Sequence, residues 1–495
     1  MQPTQEKAAH ELLANLRQLR KNAFQQGKEL YDRWQPMIDR RVFCLSGANL
    51  AQYLALRQQD LRPLQTELMA FGLSSLGRSE GRVLPNLDAV ITTLEAICRE
   101  PNPQPYPPIR SFFRGERLLH HNADELFGTP PKERKVRVMV TFPTEAATDY
   151  AFVLDLMQRG MDVARINCAH DTEDVWAAMV ENVKRARADV GRECRILMDL
   201  GGPKPRTLDL ILKEKRLHRG DTLLLMRENP EESDQYPNQV RCSIPEVIDQ
   251  LSAGDEVWID DGKIGTQVES ILPEGALLRV TTARDKGERL REEKGLNFPT
   301  VDLKLSPLTD DDLKALDFVA VHADMIGYSF VQSADDVQLL QRQLLARRSD
   351  PHKIAIIAKI ETRRAIHNLP EIIVAAAGQQ PFGVMIARGD LAIEVGYERM
   401  AEIQEEILWL CEAAHVPVIW ATQVLESFIR KGTPSRGEMT DAAMSVRAEC
   451  VMLNKGPYVG EAISRLNDLL SRMQEHQTKK TPQLRALKSW RDLFD

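Results

Sequence analysis

Two strings concentrate the groups with which this chain could do chemistry: 356–361, IIAKIE, and 384–391, VMIARGDL. Each is an apolar run that reads as a buried parallel strand and ends abruptly in charged residues. Alternate residues of a strand share a face, so Lys359 and Glu361 project the same way. If the two strands are near neighbours in a barrel, Glu361 and Asp390 place two hard oxygens beside one ammonium. Such a set can hold Mg²⁺ and stabilise an oxyanion or a phosphoryl group, which suits phosphoryl or enolate chemistry.

The elements that would position these groups emerge from Val136 onward. Strand-like runs at 136–141, 163–166 and 195–198 alternate with helical stretches near 148–159 and 173–190. From about 208 to 297 the chain turns to short strands separated by Gly-Asp and Asp-Gly turns, a small β-rich insert. Alternation then resumes, with strands near 324–328, 354–359, 383–387, 416–421 and 450–453. Three strands before the insert and five after make the eight of an α/β (β/α)₈ TIM barrel, whose working residues sit at the carboxyl ends of its strands. Those ends carry Arg165 and Asn167, then Asp199, Ser329 and Phe330, Lys359 and Glu361, Arg388 to Asp390, and Thr422. Any one of these has a structural account as a salt bridge. Polar groups from six strand ends converging on one mouth point to a site.

Residues 1–132 read as an all-α amino-terminal domain. Leu12, Leu13, Leu16, Leu19, Ala23 and Phe24 form one apolar stripe; Leu54, Leu61, Leu64 and Leu68 form a second; Val90, Leu94 and Ile97 form a third. Asn49 and Asp60 are candidate N-caps, and Asn86 precedes the third stripe. The proline-rich stretch 101–108 is an extended connector, and such stripes ordinarily enclose a private core. The expected division is therefore 1–132 helical, 133–207 barrel, 208–297 lid, 298–475 barrel, and 476–495 a tail helix.

The formal net charge of −7 over 495 residues, with both signs interspersed, argues against a nucleic-acid footprint. Seven scattered cysteines without a C-x-x-C pair suit reduced thiols. The first residues lack a signal-peptide core and no run is long enough for a membrane span, so a soluble, cytoplasmic chain is expected.

Several segments resemble the pyruvate kinase family. MDVARINCAH at 161–170 is similar to its NVARLNFSH, and DLGGPKPRT at 199–207 to its DTKGPEIRT. The strings DDG at 260–262 and KGLN at 294–297 match the edges of its lid. AKIE at 358–361, ARGDL at 387–391 and ATQVLES at 421–427 match its most specific motifs, all in the right order from about 135 to 470. The resemblance implies phosphoryl transfer from phosphoenolpyruvate to ADP, with Glu361 and Asp390 holding Mg²⁺ or Mn²⁺ and Lys359 stabilising the enolate and the phosphoryl group. Arg165 and Ser329 would contact the phosphate; backbone N–H groups near Gly389 and Asp390, with Thr422, would hold the carboxylate. His170 and Arg206 would meet ADP, the β-rich insert would act as a hinged lid, and a homo-oligomer is expected.

Departures from the family pattern shape that expectation. Two potassium ligands of the family are Ala169 and Leu200 here, and a Glu has become Lys204, as in potassium-independent members. The resemblance thus implies that the Lys204 ammonium, with Asn167 and Asp199, replaces the monovalent ion. TIGPAS has become TFPTEA at 141–146. LSGETAKG has become LNKGPYVG at 453–460, so the serine associated with enolate protonation is Asn454. The family's carboxy-terminal regulatory domain would begin near 475, where this chain has enough residues for one helix. Two other readings compete: a Mg²⁺-dependent aldolase or lyase acting on an oxoacid, and a phosphoenolpyruvate-binding sensor or scaffold with weak catalysis.

Overall fold

Eight strands, each buried on both faces, leave no solvent side to their sheet, so it closes on itself. In the computed structural model, which describes residues 3–482, they are Arg137–Thr141, Val163–Asn167, Arg195–Asp199, Met325–Tyr328, Ala355–Ile360, Phe382–Ala387, Val418–Ala421 and Cys450–Leu453. Each pairs in parallel with the next, and the first pairs with the eighth to complete the barrel. The register sets Asn167 opposite Asp199, Lys359 opposite Met385, and Ala387 opposite Ala421. Strand ends two, three, five, six and seven are thereby levelled at one rim.

Barrel interiors must be filled by side chains. Met139, Leu197, Met325, Ile357, Met385 and Ile419 do so here, joined by Ala123, Leu126 and Phe127 of helix Arg114–Phe127. That helix comes from the amino-terminal region and plugs the barrel from the face opposite the strand ends. A Cβ on Gly383 would meet Leu126 Cδ2 at 2.8 Å, which explains a glycine inside strand six.

The rest of the amino-terminal region is helical: Pro3–Trp34, Cys44–Leu56, Arg62–Ala70 and Val83–Ile97 are its longer helices. Its stripes do not enclose a private core. Leu12, Leu13, Leu16, Leu87 and Leu94 join one apolar cluster with the barrel's outer layer, while Phe24 of the first stripe stays 43% exposed. Asn49 lies inside its helix rather than capping it. Its amide donates to Glu80 O at 2.6 Å and to Ala413 O at 2.8 Å, and its oxygen accepts Val83 N–H at 3.0 Å, so it fastens the helical layer to the barrel. Asn86 likewise lies within its helix and donates to Ser79 Oγ. Asp60 accepts the Arg62 N–H at 3.0 Å at a helix start, close to its expected capping role.

Between barrel strands three and four, a seven-stranded sheet runs from Thr207–Ile211 to Leu296–Asn297 around its own core of Leu223, Leu225, Val257, Ile259 and Leu278. The lid's 260–262 turn rests on the barrel mouth, where a Cβ on Gly262 would come within 2.6 Å of Ile393 Cδ1. At the carboxyl end, Gln477–Thr478 and Thr481–Pro482 pair as a short antiparallel hairpin where the tail helix was expected to start. Residues 483–495 of that expected helix lie outside the described residues. Among the described residues, no helix is long and apolar enough to cross a membrane.

Candidate active site

The rim carries a chain of charges linked atom to atom. Arg165, at the end of strand two, donates from Nε to Asp199 Oδ2 at 3.0 Å and from an Nη to Thr141 Oγ1 at 3.0 Å. Asp199, only 1% exposed, also faces Lys359 Nζ at 3.5 Å. Lys359 reaches Glu361 Oε1 at 3.2 Å and donates to Ser329 Oγ at 2.6 Å, while the Ser329 hydroxyl donates to Leu200 O. Glu361 Oε2 accepts the Phe330 N–H at 2.6 Å. Asp390, opening helix Arg388–Val395, accepts from Lys204 Nζ at 2.5 Å and from the Asn297 amide at 3.2 Å.

Close backbone approach makes these contacts possible. A Cβ on Gly327 would sit 2.2 Å from Asp199 Oδ1, and one on Gly295 would sit 2.5 Å from Lys204 Cε. A glycine at each position leaves room for the neighbouring charged side chain. Phe330 and Thr422 hold positive φ values of 55° and 69° at the rim, backbone strain of the kind found at functional sites. The Thr422 side chain lies over Gly389, whose added Cβ would meet Thr422 Cγ2 at 2.8 Å.

Burial and charge work against each other here. Burial alone would lower the Lys359 ammonium, but Asp199 and Glu361 outweigh it, so its pKa stands above the usual lysine value and the group stays charged. Burial would raise Asp199, yet Arg165 and Lys359 hold it below the usual range. Burial would also raise Asp390, and Lys204 chiefly holds it down. Glu361 differs. Its burial exceeds what Lys359 returns, Asp390 adds to the effect, and its pKa is raised. A buried carboxylate left short of positive charge next to a second carboxylate is a place where a further cation is favoured.

That is the fit expected of a divalent ion. Among the described residues no group of three or more His, Cys, Asp and Glu side chains forms a ready-made cage. Mg²⁺ commonly takes one or two carboxylates and completes its shell with water and substrate oxygens, so Glu361 and Asp390 suffice as protein ligands.

The structure thus brings Arg165, Asp199, Ser329, Lys359, Glu361, Asp390, Gly389 and Thr422 to one rim. Lys204 arrives at Asp390; no hydrogen bond or ion pair joins it to Asn167 or Asp199. Asn167 accepts the Ala169 N–H in a local turn, and Asp199 is committed to Arg165 and Lys359. Arg388 turns away from the mouth. It donates to Ala421 O at 2.8 Å and Thr422 O at 2.7 Å, pairs with Asp441, and lies over the Trp420 ring, so it shapes the end of strand seven.

His170 and Arg206 stand on the lid side of the mouth. Partial burial, then the charges of Lys455 and Arg206, lower the His170 pKa, so these three groups share one electrostatic neighbourhood. Sequence reasoning passed over Lys455, Asn297 and Thr141 as individual site residues. Lys455 adjoins the altered Asn454, and its signal was a new cation beside a lost hydroxyl. Asn297 belongs to the KGLN string at the lid boundary, and nothing in that string signals its contact with Asp390. Glu394, whose carboxyl is pushed up to about 7 by burial and by Asp390, was not singled out either.

A family model described as pyruvate kinase, barrel domain, matches residues 133–463. The pyruvate kinase of Geobacillus stearothermophilus is 32% identical over 351 residues, covering 69% of this chain and 57% of that protein. Pyruvate kinase 1 of Trypanosoma brucei brucei is 31% identical over 353 residues, covering 70% of this chain and 68% of its own. Human pyruvate kinase PKLR is 32% identical over 325 residues, with coverages of 62% and 54%. The chain spans 57% of the length of the bacterial relatives from Geobacillus stearothermophilus and Bacillus licheniformis. Matched barrel, rim motifs and relatives agree, and the chain belongs to the pyruvate kinase family.

Proposed function

We propose that the protein transfers the phosphoryl group of phosphoenolpyruvate to ADP, giving pyruvate and ATP, with Mg²⁺ and without a potassium requirement. The observation that carries the reading is Lys359: a buried, charged ammonium bonded to Ser329, Asp199 and Glu361, with Arg165 one carboxylate away and Asp390 across the rim. Phosphoryl transfer needs positioning and charge stabilisation more than covalent work from the protein, and this rim supplies both.

In this reading the phosphate lies against Arg165 and the Ser329 edge, and the carboxylate lies against the backbone N–H groups at Gly389 and Asp390, with Thr422 beside them. Glu361 and Asp390 would hold a divalent ion, which when bound would supply positive charge to offset the charge that develops in the transfer. The P–O bond to the enol oxygen breaks as a P–O bond to the terminal phosphate of ADP forms, and Lys359 stabilises charge on both fragments. The enolate carbon then takes a proton to give pyruvate. Arg206 and Lys455, with His170 held toward its neutral form beside them, form the side that would receive the ADP phosphates. The lid resting on helix Arg388–Val395 would keep water from competing for the phosphoryl group.

Independence from potassium rests on Lys204, whose ammonium supplies a fixed positive charge at Asp390, and on Ala169 and Leu200, which lack side-chain oxygens. A coupled assay of pyruvate formation tests the whole reading. Turnover should require both ADP and Mg²⁺ and should be equal in potassium and tetramethylammonium buffers. Pyruvate formed without ADP would indicate a lyase. Tight phosphoenolpyruvate binding with no turnover would indicate a sensor.

A further inference from the structure

On the face of the barrel opposite the rim, the helical layer borders a half-open chamber of about 290 Å³ that plays no part in the chemistry above. Its roof is the 78–82 turn with the start of helix Arg114–Phe127. Its floor is made by the chain just before strands one and eight, the end of helix Tyr397–Ala413, and the 474–479 segment. The volume is at the lower end of small-molecule sites, enough for a compact metabolite.

Its walls carry an excess of cations without carboxylate partners. Arg78, Arg82 and Lys135 all line it, and among the described residues none has an acidic side chain within ion-pair distance. The Arg82 guanidinium is held over the Phe112 and Phe113 rings, 4.6 and 5.2 Å from their centroids, which fixes its plane. Its burial outweighs the attraction of Glu116, Glu412 and Glu80 and lowers its pKa, so it is a partly desolvated charge with no carboxylate at ion-pair distance among the described residues. Arg447, 6% exposed, spends its fork on Glu405 and keeps a buried Nε without a hydrogen-bond partner.

The acidic groups present do not cancel this. Glu449 accepts the Val418 N–H and pairs with Lys479, and Glu116 is exposed. The Glu412 carboxyl is pushed up to about 7 by burial, so near neutrality much of it carries a proton it can donate. His415 is lowered to about 4 by burial, so it is neutral, with its ring nitrogens committed to Gly81 O and Ser46. Unpaired guanidinium and ammonium groups, with a protonated carboxyl beside them, suit an anion with several acceptor oxygens.

We propose that this chamber, between the helical layer and the base of the barrel, is a binding site for a small organic anion bearing a phosphate or carboxylate group, with Arg82 as its anchoring residue. The ligand would be remote from the rim and would bridge the helical layer to the start of strands one and eight.

The test is calorimetric titration of the full chain with inorganic phosphate and, separately, malonate. Stronger phosphate binding assigns a phosphate ester, stronger malonate binding a carboxylate, and either supports the site. Arg165→Gln, altered at the rim, should keep this binding event, whereas Arg82→Gln should weaken it at least tenfold. Should Arg82→Gln fail to fold by circular dichroism, the double variant Arg78→Gln with Lys135→Gln, at exposed positions, takes its place with the same expected loss. No event with either anion would overturn the proposal, as would an event abolished by Arg165→Gln and untouched by the chamber variants.

Discussion

Lys204→Met is the perturbation that most directly questions the fixed-charge reading of the rim. Lys204 Nζ lies 2.5 Å from Asp390 Oδ1, and both side chains are largely buried, 14% and 18% exposed. At an effective dielectric of about 20, a pair at that distance attracts by about 7 kcal/mol, most of it offset by the cost of desolvating both ions. Removing one partner strands the other, and for buried pairs that costs about 3–5 kcal/mol of stability. The Asn297 amide, at 3.2 Å, is a neutral donor and recovers little of this.

The sign with pH follows from the depressed Asp390 pKa. A carboxyl whose folded pKa lies below its unfolded value contributes stability above the unfolded value, about 3.9, and loses it as pH falls through the folded one. The deficit of Lys204→Met should therefore be largest near neutrality and shrink as pH falls, first as the stranded Asp390 of the variant takes up a proton and then through the depressed pKa of the intact pair. Urea unfolding in metal-free buffer measures it. Turnover should fall by about 10² to 10³ in tetramethylammonium, the usual effect of deleting one preorganised electrostatic group. Potassium should restore little, because Ala169 and Leu200 offer no side-chain oxygens. A variant with unchanged unfolding midpoint and unchanged turnover in tetramethylammonium would refute the reasoning.

Four other outcomes follow from the same geometry. Lys359→Met should lower kcat by about 10³ or more while leaving the circular dichroism spectrum intact, since it deletes the charge assigned to the transferred group in the proposed reading. Asp199→Asn leaves Arg165 and Lys359 without their shared counter-ion and should cost about 3–5 kcal/mol in urea unfolding. Glu412, with a folded pKa of about 7 above its unfolded value, favours the native state less as pH rises from its unfolded pKa to 7; Glu412→Gln should therefore stabilise more at pH 8 than at pH 5. Leu16→Ala, at a fully buried position, should cost about 2–5 kcal/mol. Because its cluster is continuous with the barrel's, barrel and helical signals should melt together.

The barrel was legible because parallel strands buried on both faces have a plain signature: short continuous apolar runs ending in polar residues. All eight expected strands exist within a residue or two of their expected positions. The rim residues were legible for the same reason, since a charged group at the end of an apolar run has few places to go. What could not be read was which partner each charge takes. Lys204 and Asp390 are far apart in sequence, and only the return of the lid at 294–297 brings Asn297 and Gly295 beside them. Asn49 failed as a cap because local spacing cannot reveal that Ala413 O lies across a layer boundary. The helical stripes were real, but a stripe does not say what it packs against, and here much of it packs on the barrel.

The two halves of the rim are built on different principles, and this bears on the altered strand-eight loop. On the proposed phosphoenolpyruvate side Arg165, Asp199, Lys359, Glu361 and Asp390 each have a charged partner within 3.5 Å, so the groups are pre-arranged and would reorganise little when substrate binds. On the proposed acceptor side Lys455 and Arg206 act on His170 through their fields, and the Arg206 guanidinium donates to the Glu293 carbonyl at 3.3 Å. Lys455 and Arg206 depress His170 more than Asp171 and Glu293 raise it, a net positive field that would favour the ADP polyphosphate of the proposed reading. In the proposed reading, Asn454 in place of a hydroxyl, with Lys455 beside it, would move strand eight from handling a proton to handling charge. The proton for the proposed enolate would then come from another group at the mouth or from water, and Thr422, strained in φ and lying over Gly389, is a hydroxyl beside the proposed carboxylate site.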